Sequence, residues 1–289
     1  MNEMTQFDLD SDGKIDLNQV YEQPDPRSYY QTLSRLDYQI PASAEPIFRR
    51  TIRTLRQLRR KRALTMLDVG SSYGVNAAIL KHRFSLPSLF ELYGPETNLT
   101  LPTSEELVTR DRELFGPDRS DGSLVTVGLD VSGEAIGYAR DAGIIDHGIA
   151  ANLEERDPTA AEAEVLGPVD LVVSTGAIGY VGAPTFARII GAAEGRPWIA
   201  VFALRMFPMD GIARMLGDVG YRLLRLPGET FRQRRFANPN EREEVMARLD
   251  ALQVGAADGE RNGWLLAEFF LAHPSEESVG PLASGLVPA

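Results

Sequence analysis

The chain has 289 residues, a formal net charge of −11 and no cysteine, with 43% hydrophobic and 25% charged residues. That composition belongs to a globular domain, and without cysteine a disulfide framework, a thiolate-held metal and a cysteine nucleophile are all excluded. The acidic balance disfavours nucleic acid as a partner. No apolar run approaches the roughly 18 residues of a membrane span, and the acidic start MNEMTQFDLDSDG lacks a secretory apolar core, so a cytoplasmic location is expected.

Taken in chain order, residues 1–26 are polar, end in Pro24-Asp25-Pro26, and read as a flexible acidic arm. Residues 27–62 read as a helical cap. Phe48, Ile52, Leu55 and Leu58 recur at helix spacing, and Arg49, Arg53, Arg56 and Arg60 share another face. At Ala63 the period changes. ALTMLDVG is a short apolar run closed by glycine, which predicts a buried strand, and VNAAILKHRF predicts the helix after it. Residues 84–123 hold several prolines and glycines and read as an insertion near the substrate pocket, with a helix near SEELVTRDRELF.

SLVTVGLD predicts a second buried strand, GEAIGYARDAG a helix, and HGIAANLEE a third strand with its exit loop. PVDLVVSTGAIGY predicts a fourth strand and loop, followed by a helix from Pro184 to Ala193. RPWIAVFAL reads as a fifth strand, MDGIARMLGDVG as a helix, and GYRLLRL as a sixth strand. Asn240 with Glu243 fits a capping box before EREEVMARLDALQ, and WLLAEFFLAH is the seventh strand. Residues 275–289 read as a loose tail. Alternation of strands and helices over 63–274 predicts a doubly wound, mostly parallel seven-stranded α/β sheet, with an antiparallel strand plausible near its end. Ligands in such sheets bind beyond the carboxyl ends of the strands, at the switch point.

Four strand-end loops therefore carry the functional reading. The first, Asp68-Val69-Gly70-Ser71-Ser72-Tyr73-Gly74, has glycines that permit a tight turn, but not the G-x-G-x-x-G of a pyrophosphate cradle. The second ends in Asp130-Val131, a carboxylate able to accept both hydroxyls of a ribose. The third holds Asn152-Leu153 and the fourth Ser174-Thr175-Gly176.

In these loops, over about residues 63–272, the sequence resembles the class I S-adenosylmethionine-dependent methyltransferases, with Ser72 in place of their middle glycine. The resemblance implies a Rossmann-like fold and S-adenosyl-L-methionine as cofactor, with S-adenosyl-L-homocysteine as product. It implies a transferase that methylates a small molecule in biosynthesis. It further implies cofactor contacts from Asp68 at the amino end, and from Gly70, Ser71, Ser72 and Gly74. Asp130 and Val131 would face the ribose, Asn152 and Leu153 the adenine, and Ser174, Thr175 and Gly176 the methionine part. Tyr180 is the candidate positioning residue for catalysis, and Tyr29, Tyr30 and Tyr38 for the substrate pocket; no metal is expected. Related folds also transfer the aminocarboxypropyl group or close a ring with release of methylthioadenosine.

Three further features compete for a role. Gly70-Ser71-Ser72-Tyr73-Gly74 fits the G-x-S-x-G nucleophile elbow of α/β hydrolases, with Ser72 as nucleophile and His147 or His273 as its base, although no strand precedes it. Asp8 to Asp16 resembles the start of a calcium-binding loop but has Gln19 at the twelfth position. The run Arg49 to Arg62 could hold an anionic partner, or serve as a solvated helix face.

Overall fold

The computed structural model describes residues 18–116, 122–280 and 285–289. Nine strands form one sheet: β1 (Leu64–Val69), β2 (Leu124–Asp130), β3 (His147–Ala150), β4 (Leu171–Thr175), β5 (Trp198–Leu204), β6 (Tyr221–Arg225), β7 (Phe231–Arg235), β8 (Trp264–Pro274) and β9 (Val287–Pro288). Their order is β3-β2-β1-β4-β5-β8-β6-β9, with β7 also paired to β8. β3 through β5 pair in parallel, while β8 runs antiparallel to β5, β6 and β7. The fold is thus α/β with most strands pointing one way. The seven expected strands are joined by two short ones, β7 and β9.

The helices are α1 (Asn18–Tyr21), α2 (Arg27–Arg35), α3 (Ile40–Arg59), α4 (Val75–Leu80), α5 (Leu86–Leu92), α6 (Thr97–Thr100), α7 (Ser104–Phe115), α8 (Gly133–Asp141), α9 (Ala160–Leu166), α10 (Ala183–Ala192), α11 (Asp210–Asp218), α12 (Pro239–Ala251) and α13 (Asp258–Arg261). Every residue of β1 and β5 is buried, as a strand covered on both faces requires. The apolar stripe of α3, from Ile40 through Ala44, Phe48 and Ile52 to Leu55, packs with α12 against one face. Phe186, Ile189, Ile212 and Leu216 of α10 and α11 cover the other face. Each such side chain taken from water stabilises by about 1.5–3 kcal/mol.

Several expectations are corrected. The helical cap read over 27–62 consists of α2 and α3, separated by a break at Leu36–Gln39, where Asp37 takes φ 52°. The break is stapled to β7, since Arg235 donates its N–H to Leu36 O at 2.7 Å and Gln39 to Gln233 O at 2.8 Å. The cap of α12 is Asn238, whose Oδ1 accepts the Glu241 N–H at 2.9 Å, not Asn240. Pro239 at the first helical position sets that start.

Neither chain end, where described, is loose. Val20, Asp25 and Pro26 are buried, and the Asp25 carboxylate accepts from Arg27 at 2.6 Å and from Ser104 at 2.6 Å. Glu277 accepts from Arg59 and Trp198, and β9 extends the edge at β6. The acidic run Asp8 to Asp16 lies outside the described residues.

The basic run of α3 knits the fold. Arg49 donates to the carbonyls of Ile79 and Leu80 at the end of α4, Arg56 to Ser123 O, and Lys61 to the buried Asp170 at 2.7 Å. Among the described residues no helix is long and apolar enough to cross a membrane.

Candidate active site

The chain turns outward from β1 in both directions, to β2 and β3 on one side and to β4 and β5 on the other. This switch point opens a cavity of about 860 Å³ at the carboxyl ends of the strands. Its floor is the turn after β1. Gly70 has φ 72°, and a Cβ there would stand 2.5 Å from the Cβ of Ala177. Only glycine gives that conformation and that clearance together.

Three consecutive N–H groups of this turn are used inside the protein. Gly70 and Ser71 donate to Leu129 O at 2.8 and 3.2 Å, and Ser72 donates to Asp130 Oδ2 at 2.8 Å. Asp130 Oδ1 accepts from the Ser132 N–H at 3.1 Å. The turn therefore spends the amides that a phosphate site would present. It instead holds a half-buried carboxylate at a fixed angle on the cavity wall. Burial raises the Asp130 pKa, against the lowering effect of its backbone hydrogen bonds.

The cavity brings together eight of the loop residues singled out in the sequence. Gly70 and Ser72 lie at β1, Asp130 and Val131 at β2, Asn152 and Leu153 at β3, and Thr175 and Gly176 at β4. Val131 is 69% exposed and Leu153 is buried, which gives that end an apolar face. Asn152 Oδ1 accepts the Glu154 N–H at 3.0 Å, leaving its amide NH₂ as the end able to meet a ligand. Tyr180 lies at the rim, half exposed, on the loop after β4. Tyr29 and Tyr38 line the opposite wall.

Five expected contacts are not cavity-lining. Asp68 is buried behind the wall, where its two oxygens accept from Asn76 Nδ2 at 3.0 and 3.2 Å. The same Asn76 nitrogen reaches Thr175 Oγ1 at 3.0 Å, so Asp68 orients a lining residue through an intermediary. Desolvation pushes the Asp68 carboxyl up to about 7, with the Asn76 hydrogen bond opposing and the charge of Asp130 adding. Ser71 is buried beside Gly128. Gly74 takes φ 81° where a Cβ would meet Ile144 at 2.7 Å, so it serves helix packing. Ser174 is buried and donates to Val69 O at 2.8 Å, tying β4 to β1. Tyr30 stacks on Tyr93 at 4.6 Å, within the core of the insertion.

The cavity also has walls that the sequence reading missed. Tyr21 and Glu22 come from the segment read as a loose arm, and their backbone is clamped over the site. Tyr21 O accepts from Ser132 Oγ at 2.8 Å, and Tyr73 Oη donates to Gln23 O at 2.7 Å. Gln233 and Arg234 come from β7. Arg234 is neutralised by the buried Glu241, with contacts of 2.6 and 2.8 Å. The remaining ionisable lining of Glu22, Asp130 and Glu155 is acidic. The only sequence signal for Gln233 was its place within FRQRR, which reads as surface charge.

The hydrolase reading has no base. His147 begins β3, His82 bonds to Ile144 O just before that strand, and His273 lies near the end of the antiparallel β8. All three histidines sit at the amino ends of the parallel strands, across the sheet from Ser72.

No family model matches the chain, and no curated protein matches it. Solved structures with a similar arrangement include a TehB-like SAM-dependent methyltransferase from Corynebacterium glutamicum, at 14% identity and TM-score 0.38, over 76% of this chain and 86% of that one. The plantazolicin methyltransferase BamL, in complex with a triazolic desmethylPZN analog and SAH, aligns at 12% identity and TM-score 0.44, over 89% and 96%. Magnesium protoporphyrin IX methyltransferase from Synechocystis, with bound SAM, aligns at 11% identity and TM-score 0.40, over 81% and 79%. Likeness at this level carries no functional inference for this chain.

Proposed function

We propose that the protein is an S-adenosylmethionine-dependent methyltransferase acting on a small molecule. The observation that carries the reading is that Asp130, closing β2, and Gly70, closing β1, face one cavity at the switch point of the sheet. A carboxylate held there by two backbone amides suits the paired hydroxyls of a ribose. Val131 and Leu153 suit the faces of an adenine, and Asn152 its polar edge. Gly70 and Gly176 both line the cavity, and each is held to glycine by close packing on its neighbour, Ala177 for Gly70 and Gln233 for Gly176.

Charge supports the same ligand. A cavity whose unpaired ionisable lining is Glu22, Asp130 and Glu155 favours a cation over an anion. The cofactor supplies a methyl group already activated on a positively charged sulfur. What this chain contributes is alignment and exclusion of water: the Tyr21–Gln23 backbone with Tyr29 and Tyr38 forms one wall, and Tyr180 stands at the rim after β4. A tyrosine ring beside the sulfonium stabilises it by cation–π contact, and Tyr180 is assigned that role.

Calorimetry with S-adenosylmethionine and S-adenosylhomocysteine tests the reading. Binding is expected at micromolar concentrations, and absence of binding at about one millimolar (roughly 4 kcal/mol of affinity) overturns it. Mass spectrometry of the spent cofactor then identifies the carbon attacked. S-adenosylhomocysteine marks methyl transfer, and methylthioadenosine marks loss of the aminocarboxypropyl group or ring closure. The substrate is assigned to the small molecules because a cavity of about 860 Å³ is of the size that small-molecule sites have.

A further inference from the structure

The strand β7 carries a device outside the four loops. Its register on β8 slips: Arg232 pairs with Leu266 and Arg234 with Leu265, so Gln233 is the extra residue of a β-bulge. A bulge turns its extra side chain away from the alternation of the strand. Here the neighbours go elsewhere. Arg232 and Arg235 lie over the ring of Trp264 at 4.7 and 4.1 Å, and Arg234 pairs with Glu241. Gln233 lines the cavity, 8% exposed, beside Arg234, whose charge is taken up by Glu241.

Its amide is packed but not satisfied. Oε1 is buried and has no hydrogen-bond partner among the described residues. The amide packs into the room left by Gly176, where a Cβ would stand 2.4 Å from Nε2. The backbone is fixed by the hydrogen bond from Gln39 to Gln233 O. An unpartnered buried carbonyl costs stability, and a methionine of the same shape would avoid that cost. A buried acceptor without a protein partner, on a residue that lines the cavity, suits a donor that arrives with the ligand.

We propose that Gln233 is a ligand-recognition residue whose amide oxygen accepts an N–H from an ammonium or amine of the bound small molecule. The inference rests on the nucleoside reading above. If the nucleoside lies over the ends of β2 and β3, the groups beyond its sulfur lie toward β4 and Gln233. Two sources of that amine reach this end of the cavity: the amino-acid end of the cofactor, and the group at the transfer position.

Three ligands separate them. Methylthioadenosine lacks the amino-acid end, S-adenosylhomocysteine carries its ammonium, and sinefungin adds an amine where the transferred methyl stands. Calorimetry on the full-length chain compares wild type with Gln233→Met and with Gln233→Asn, which keeps the amide but draws it back by one methylene. If the cofactor's ammonium is the donor, both variants lose roughly 10- to 100-fold for S-adenosylhomocysteine and sinefungin and nothing for methylthioadenosine. If the donor stands at the transfer position, sinefungin alone weakens. Both results support the proposal.

Unchanged affinity for all three ligands overturns it, as does an equal loss for all three, which marks a cavity-shaping role. Thermal melting adds a readout independent of ligand: Gln233→Met is expected to melt no lower than wild type, and a large drop assigns Gln233 to structure. If wild type itself binds none of the three, the parent reading fails; if wild type binds and the variants are indifferent, only Gln233 is lost.

Discussion

Asp130 and Ser72 are joined by a 2.8 Å hydrogen bond from the Ser72 amide to the Asp130 carboxylate, so the end of β2 sets the shape of the turn after β1. The loops after β1 and β2, both of which line the cavity, are thereby tied into one mechanical unit. Asp130→Ala is expected to weaken S-adenosylhomocysteine binding by on the order of 1–3 kcal/mol, read by calorimetry. Asp130→Asn, which keeps one acceptor oxygen, is expected to lose less. Equal affinity in wild type and Asp130→Ala removes the ribose assignment.

The two glycines of the same turn are expected to separate binding from stability. Gly70→Ala places a methyl against Ala177 at the cavity floor, whereas Gly74→Ala places one against Ile144 outside it. Each takes a residue with positive φ out of its natural state, so each is expected to cost about 1–3 kcal/mol of stability. Only Gly70→Ala is expected to impair ligand binding in the variants that remain folded. Denaturation midpoints beside calorimetry check both halves. A Gly74→Ala protein that folds but no longer binds contradicts the assignment of Gly74 to packing.

Asp68 gives a pH signature. Between the ordinary carboxylate value of 3.8 and about 7, the folded chain keeps a proton that the unfolded chain has released. Folding therefore binds the proton more tightly, and the contribution of Asp68 to stability falls as pH rises through that window. Above about 7 the loss is complete. Asp68→Asn, which does not titrate, is expected to gain melting temperature relative to wild type on moving from pH 5 to pH 8. A gap that stays constant across that range excludes the raised value.

Tyr73 holds the covering segment. Its hydroxyl donates to Tyr21 O at 3.2 Å and Gln23 O at 2.7 Å. Tyr73→Phe is expected to cost about 0.5–1.5 kcal/mol, concentrated in the opening of residues 18–26. Limited proteolysis is the measurement, with cleavage near Gln23 accelerated severalfold and the remainder of the chain unaffected. Uniform acceleration throughout the chain marks a general loss of stability instead.

The central strands were legible because burial on both faces writes a continuous apolar run, as in Leu64–Val69 and Trp198–Leu204. Their terminal residues named eight of the residues that line the cavity, since such cavities open beyond the carboxyl ends of parallel strands. β7 was not legible: Phe231–Arg235 has four polar residues in five, and its strand character comes from pairing with β8. Asp68 and Ser174 were misplaced for one reason. A strand's last residues alternate between faces, and the sequence does not say which of them meets the ligand. The helix break at Asp37 left no mark either, because a single left-handed residue there is stabilised by contacts from β7, almost 200 positions away.

The antiparallel β8 sits inside the sheet, with β5 on one side and β6 and β7 on the other. It is also the last long strand to be synthesised. A nascent chain that has emerged only as far as Gly263 presents two open lanes of unpaired amides, flanked by the apolar strands of an unfinished sheet. Completion awaits Trp264–Pro274, which pairs with β5 along one edge and with β6 and β7, the strand of Gln233, along the other. Premature termination near the carboxyl end is thus expected to be far more harmful than loss of a few residues suggests, producing an aggregating product instead of a weakened protein.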